Sequence, residues 1–279
     1  SGSKKVVEAN SVAYDKLSNH IGKIPAVIIC PDDNKLILGG SEERRKLADS
    51  TLAQFDSDYL NALLAYNRAL SQRNSLLKKM HENQRFQPDL LAIYDEQLCS
   101  YAPSIHKARS LLVESLQPPF QDLYNQISGN KEKVGLEYHS SLNEKLMNEI
   151  LADNAQRDRY LQRTSKGVHR DDLVFTMDGR PIKRFGSQGQ QKSYLLALKL
   201  SQYKVIKEAS HRMPILLLDD LFDKLDKLRS KQLLHLLSGD DLGQVFITDT
   251  DPQRIEEAFG DADIKPEIFQ IDALKSQAD

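Results

Sequence analysis

Two short segments hold residue types whose order could do chemistry. Residues 185–192 read Phe185-Gly186-Ser187-Gln188-Gly189-Gln190-Gln191-Lys192. Two glycines allow the backbone to approach a ligand closely, and Ser187 can cap a helix starting just after it. A helix N-terminus presents N–H groups and the positive end of its dipole, which suits a phosphate. A plain cap without a ligand explains the same residues. Residues 214–226 read Pro214-Ile215-Leu216-Leu217-Leu218-Asp219-Asp220-Leu221-Phe222-Asp223-Lys224-Leu225-Asp226. Aliphatics running into Asp219 and Asp220 describe a buried strand with carboxylates at its end. Burial and mutual repulsion disfavour two charged neighbours unless a cation is close. One could hold Mg²⁺, directly or through water, and the other could orient or deprotonate an attacking water. The turn precedes the strand by one helix, and Asp223 and Asp226 follow it at once. The sequence holds no Gly-x-x-x-x-Gly-Lys-Ser/Thr loop to cradle nucleotide phosphates.

The elements that must position these residues alternate in type. Leu173–Met177 reads as a strand, and Asp178-Gly179 as a hairpin turn. A helix over about 188–209, a strand at 215–219, a helix over about 228–238, a strand at 245–248 and a short helix near 252–259 follow. Such alternation predicts a largely parallel sheet with crossover helices. Ligands gather at the carboxyl ends of such strands, where both Asp219-Asp220 and Thr248-Asp249-Thr250 fall. Residues 1–55 mix turns with strand-like Val6-Val7 and Ala26–Cys30, and Ser41 precedes Glu43 as a plausible helix cap. Between them, residues 56–164 hold leucines at helical spacing (Leu60, Leu63, Leu64, Leu70, Leu76, Leu77) and few strand signals. Pro103 and Pro118-Pro119 punctuate this tract, with helices expected at 105–116 and 140–163. The expectation is an all-helical arm, or alternatively an independent helical domain.

Composition bounds the partners. The chain has 279 residues, 40% of them hydrophobic and 28% charged, with net charge −2. Nucleic-acid binding would therefore need a local patch rather than a global field. The arm's Arg68, Arg73, Lys78, Lys79, Arg85, Lys107 and Arg109 either solvate helix faces or contact DNA phosphates. His169-Arg170-Asp171-Asp172 is expected to be a hydrogen-bonded corner or a nucleotide-edge contact, since His169 has no metal-spaced partner. Arg44-Arg45 with Asp49 could bind phosphate or form helical ion pairs. Two distant cysteines, Cys30 and Cys99, fit a reduced cytosolic protein. No apolar run approaches the ~18 residues of a membrane span.

With these residues in view, the chain resembles an ABC-type ATPase head, and over nearly its whole length it resembles the bacterial RecF family of recombinational-repair proteins. The resemblance rests on His169–Leu173, Phe185–Gln191, Ala197–Leu200, Pro214–Asp220, Leu225-Asp226 and Phe246–Thr248. Pro31–Asp33, Gly39, Glu43–Arg45 with Asp49, and Arg73-Asn74 with Leu76-Leu77 add to it. It implies an α/β fold: an incomplete ABC-ATPase-like (P-loop NTPase) head lobe with an inserted helical arm. Residues 1–55 would be head preceding the arm, 56–164 the arm, and 165–279 the C-terminal part of the head. The resemblance places Ser187, Gly189 and Gln190 on the signature that contacts the partner subunit's nucleotide. It puts Asp219 on the Mg²⁺ position of Walker B, Asp220 on the catalytic carboxylate, Asp223 to Asp226 on the D-loop and Thr248 to Thr250 on the switch.

The same resemblance implies ATP and Mg²⁺ as cofactors. It implies an ATP-dependent homodimer on DNA at single/double-strand junctions, working with RecO and RecR, cytoplasmic and nucleoid-associated. Four departures stand out. No Walker A residues are present, Asp223 stands where Ser is usual, Asp249 stands where Thr is usual, and the Pro expected near Ser41 is missing. The first predicts a piece of a longer protein, inactive alone. A transporter motor or another chromosome-maintenance relative would carry a different insertion. The alternative from another class is a non-hydrolysing, SMC-like DNA clamp or adaptor.

Overall fold

The computed structural model describes residues 6–129, 132–220, 227–237, 239, 241–251, 259–260, 266–269 and 271. Two small strands, β1 (Glu8–Ala9) and β2 (Val12–Ala13), form a hairpin near the start, in place of the strand expected at Val6-Val7. β3 (Ala26–Ile29) then enters the interior, alternating buried Val27 and Ile29 with exposed Ile28. Short α1 (Asn34–Leu38) leads to α2 (Ser41–Leu52). Gly40, not Ser41, is the N-cap residue of α2. Ser41 lies inside the helix, and its hydroxyl accepts from Arg45 Nη1 at 2.8 Å. Glu42 and Glu43 in the first turn complement the helix dipole.

Two long helices build the arm. α3 (Ser57–Glu82) begins at Asp56, whose carboxylate accepts from the Tyr59 N–H at 2.8 Å. α4 (Pro88–Ser128) runs 41 residues and ends at Gly129, in the left-handed conformation that favours glycine. Pro103, Pro118 and Pro119 lie inside α4 rather than ending helices. Each deletes one backbone bond, but Pro103 and Pro118 are exposed, where water can take up the freed carbonyls. The opposite face buries Ile105, Leu112, Leu116, Phe120, Leu123 and Ile127, and that burial outweighs the lost bonds.

A strand follows where only helix was expected. β4 (Val134–His139) pairs antiparallel with β5 (Asp172–Met177), which turns at Asp178-Gly179 into β6 (Arg180–Pro181). Asp178 and Gly179 both have positive φ, 50° and 71°, as a tight hairpin turn requires. Glutamines of α4 satisfy the outer edge of β4. Gln117 accepts from Leu136 N and donates to Val134 O, both at 2.9 Å, and Gln121 accepts from Val134 N at 2.9 Å. The single helix expected over 140–163 is two, α5 (Met147–Asp153) and α6 (Ala155–Leu161), broken at Asn154.

The head sheet forms from distant segments. After short α7 (Ile182–Phe185), α8 (Gln188–Ser210) leads to β7 (Ile215–Asp219), then α9 (Lys227–Leu237) and β8 (Val245–Thr248). β7 lies between β3 and β8, parallel to both. The expected parallel sheet is thus present, whereas β5 belongs to the separate antiparallel one. α8 packs on β3 and on α4, so a single continuous core runs from Val27 and Leu216 through Tyr194 to Phe120. On the sheet's other face Ile28 and Phe246 are 51% and 48% exposed. The mixed α/β fold with a helical arm is as expected. The helix anticipated near 252–259 falls largely outside the described residues.

Candidate functional site

Parallel pairing brings the ends of β7 and β8 level, with Asp219 opposite Thr248. The Thr248 hydroxyl donates to Asp219 Oδ1 at 2.7 Å and so orients that carboxylate. Asp220 leaves the strand in the left-handed region, φ 48°, which Asp tolerates better than most residues. Its N–H donates to the Thr248 carbonyl at 3.2 Å, which fixes the turn. Both carboxylates line a cleft with Cys30, Pro31, Asp33 and Asn34 beyond β3, and with Lys192 on α8. Asp33 is held within it, accepting from the Cys30 N–H at 2.9 Å and pairing with Lys199 at 3.3 Å.

These groups fit a hydrated divalent cation. Asp219 is exposed to solvent and aimed by Thr248. No group of three or more His, Cys, Asp or Glu among the described residues forms an all-protein metal cage. One or two carboxylates, with water and phosphate oxygens completing the shell, is the donor set Mg²⁺ prefers.

The glycine-rich turn builds a second feature. Ser187 caps α8 through a reciprocal pair: its hydroxyl accepts from Gln190 N at 3.3 Å, and Gln190 Oε1 accepts from Ser187 N at 2.8 Å. Gln190 also donates to Glu132 Oε1 at 2.8 Å. An added Cβ at Gly189 would lie 2.8 Å from Arg229 Nη1. The guanidinium of α9 therefore rests against the start of α8. The structure brings Asp219, Asp220 and Thr248 together, while Ser187, Gly189 and Gln190 are not among the residues lining their cleft. Asp223 and Asp226 lie outside the described residues. Sequence reasoning missed Arg229, Lys192 and the Cys30–Asn34 loop. The Pro31-Asp32-Asp33 turn after a strand was the available signal for the loop, and nothing local marks Arg229.

The charged corner resolves into ion pairs. Arg44 grips Asp172 with two hydrogen bonds, 2.7 and 2.9 Å, and Arg45 donates to the Asp171 carbonyl at 2.7 Å. Arg109 donates to the Val168 carbonyl at 2.7 Å and pairs with Asp49 at 2.8 Å and Asp171 at 3.3 Å. Arg44 therefore pairs across the fold, while Arg45 bonds both the distant Asp171 carbonyl and Ser41 on its own helix. His169 is half-buried between the Tyr66 hydroxyl, 2.8 Å from Nδ1, and the Thr164 carbonyl, 3.1 Å from Nε2. Nε2–H donates to the carbonyl, so Nδ1 accepts from Tyr66. Burial lowers the His169 pKa to about 4, keeping the ring neutral, and burial also raises that of Asp171.

Two arginines read as surface groups are interior. Arg73 and Arg109 are 1% and 2% exposed. Arg73 pairs with Asp158 at 2.7 Å and Asp95 at 2.5 Å, and donates to Thr164 Oγ1 at 2.9 Å. Neither is placed to meet DNA. Arg68, Lys78, Lys79, Arg85 and Lys107 remain exposed.

No protein-family model matches the chain. It is 48% identical over 255 residues to the DNA replication and repair protein RecF of Flavobacterium johnsoniae, covering 91% of this chain and 71% of the relative. The RecF of Parabacteroides distasonis is 45% identical over 254 residues, covering 91% and 68%. The solved structure of the recombination mediator protein RecF-ATPrS in the RecFOR pathway superposes with a TM-score of 0.80 at 30% identity, covering 89% of this chain and 68% of that one. No helix among the described residues is long and apolar enough to cross a membrane. The strand-end carboxylates, the capped glycine turn and this identity along the chain lead to one assignment: the chain belongs to the RecF family of DNA replication and repair proteins.

Proposed function

We propose that the chain supplies the signature and Walker B parts of a DNA-repair ATPase. The observation that carries this is the Asp219–Asp220 pair at the end of β7, with Thr248 donating to Asp219. Asp219 would hold Mg²⁺ and Asp220 would accept the proton of the attacking water. When bound, Mg²⁺ neutralises charge developing on the nucleotide phosphates. Ser187, Gly189 and Gln190 present α8's N-terminus to the γ-phosphate of a second copy's nucleotide. Asp223, Asp226 and Thr248 complete the contacts between copies. ATP bound between two heads would gate a homodimer. Its substrate is DNA at single/double-strand junctions, its partners are RecO and RecR, and its setting is the nucleoid. The RecF structures solved with ATP and ATPrS support the nucleotide part of this reading.

The 279 residues contain no Walker A loop. The chain alone is therefore expected to bind ATP weakly and not to turn it over. ATP hydrolysis is measured for the chain and for a form carrying any native sequence encoded ahead of Ser1, with and without DNA, beside Asp220→Asn. DNA-stimulated turnover in the longer form that falls at least about a hundredfold in the variant supports the assignment. Nucleotide binding without turnover in either form favours a non-hydrolysing clamp or adaptor.

A further inference from the structure

We infer that the tip of the helical arm is a docking site for single-stranded DNA. The inference rests on the repair reading above and goes beyond it in naming where an unpaired strand is held. α3 ends at the tip, and its chain reverses through residues 83–87 into α4, while α6 packs alongside. A small satellite core of Leu77, Met80 and Leu91 supports this end, separate from the main one. Between α3, the 83–87 connection and α6 lies an open cleft of about 570 Å³ lined by Met80, His81, Phe86, Gln156, Arg159 and Tyr160.

Two aromatic rings are presented there. Tyr160 is 84% exposed and Phe86 42% exposed. The Arg159 guanidinium covers one face of Phe86, 4.0 Å from the ring centroid. Folding gains little from leaving Tyr160 in water, so its ring is available to a ligand. The exposed charge on these elements is net positive. Arg159 lines the cleft itself, and Lys78, Lys79, Arg85, Arg157 and Arg163 are exposed on the elements that build it, against exposed Glu82, Asp89 and Glu96, whereas Asp158 is buried against Arg73. This basic concentration sits in a chain whose net charge is −2. Exposed aromatic faces beside a basic rim hold unpaired bases by stacking and their backbone by charge. A duplex keeps its bases stacked internally and would leave both rings unused. An acidic protein surface would use the charges and not the rings.

The test titrates the 279-residue chain into fluorescein-labelled oligo(dT) of about 20 nucleotides and follows anisotropy over a salt series. Tyr160→Ala should weaken binding at least about fivefold, as expected for loss of one stacked base, with an unchanged melting temperature. Lys78→Glu with Lys79→Glu should flatten the slope of log K against log salt by about 1.4, while Lys107→Glu, elsewhere on α4, should not. Variants that bind oligo(dT) like the parent would overturn the site and leave the repair reading standing. A parent chain that does not bind oligo(dT) would overturn the site and leave the repair reading, in which an ATP-bound dimer holds DNA, to the hydrolysis experiment above. Displacement by polyglutamate as readily as by unlabelled oligonucleotide, with Tyr160→Ala silent, would reassign the tip to an acidic protein and overturn the inference.

Discussion

Gly189 and Asp219 illustrate two different reasons for a residue's identity. A Cβ at Gly189 would meet the Arg229 guanidinium. The obstructing atoms are the far end of a flexible side chain, so they can move at little cost, and alanine is a better helix former by up to about 1 kcal/mol. Gly189→Ala is therefore expected to melt at the same temperature or slightly higher, yet to lose ATP-dependent dimerisation, measured by size-exclusion chromatography of the ATP-competent form. A lowered melting temperature would instead make the glycine structural. Asp219 is constrained by a partner, the Thr248 hydroxyl on the neighbouring strand. Its orientation is thus a property of strand register, and a change at Thr248 acts on the carboxylate without touching it.

Helices of the arm are held by buried charge as much as by apolar packing. Arg73 on α3 ties together Asp95 of α4 and Asp158 of α6. Removing one partner of a buried pair leaves an uncompensated charge, typically costing about 3–5 kcal/mol. Arg73→Ala should lower unfolding free energy by that amount in urea melts, and the exposed neighbour Lys78→Ala should change it by less than about 0.5 kcal/mol. Equal effects would contradict the burial difference. α4 shows the same dominance of tertiary contacts, since its buried stripe keeps it helical through three prolines. The glutamines that project from it close the outer edge of β4, which would otherwise offer unpaired backbone groups to another chain.

The corner at His169 joins the arm to the head, and it gives the molecule a pH-dependent stability. Tyr66 belongs to α3, and Asp171 beside His169 meets both Arg109 of α4 and Tyr138 of β4. The folded-state pKa of His169, about 4, lies below its ordinary value of 6.5. As pH falls the unfolded chain takes up the proton first, so this contribution is complete above pH ~6.5 and is lost between ~6.5 and ~4. At most about 3 kcal/mol is involved. Urea melts at pH about 7 and about 5 should differ, and His169→Gln, though weaker throughout, should show a smaller difference between them. An unchanged pH dependence in the variant would place the effect on other groups.

Local chemistry determined much of this protein from sequence alone. The Ser187 cap with Gln190 acts within three residues, the Asp178-Gly179 hairpin within two, and the aliphatic run of β7 ends at its own carboxylates. Each is a short-range preference, so the motifs could be placed on elements before any fold was known. Whatever depends on partners far along the chain was decided only by the tertiary structure. Arg73 meets Asp158 across 85 residues, and Arg44 meets Asp172 across 128, so in sequence the first read as a surface or DNA-contacting charge and the second as a phosphate ligand or a helical ion pair. β4 carried a period-2 pattern in Val134, Leu136 and Tyr138, yet it was too short and glycine-interrupted to compete with the helical tract around it. Arg229 reaches Gly189 from α9, a helix that packs mainly on α4. Charge pairing, strand pairing and close packing draw their free energy from proximity in space, which spacing along a chain does not encode.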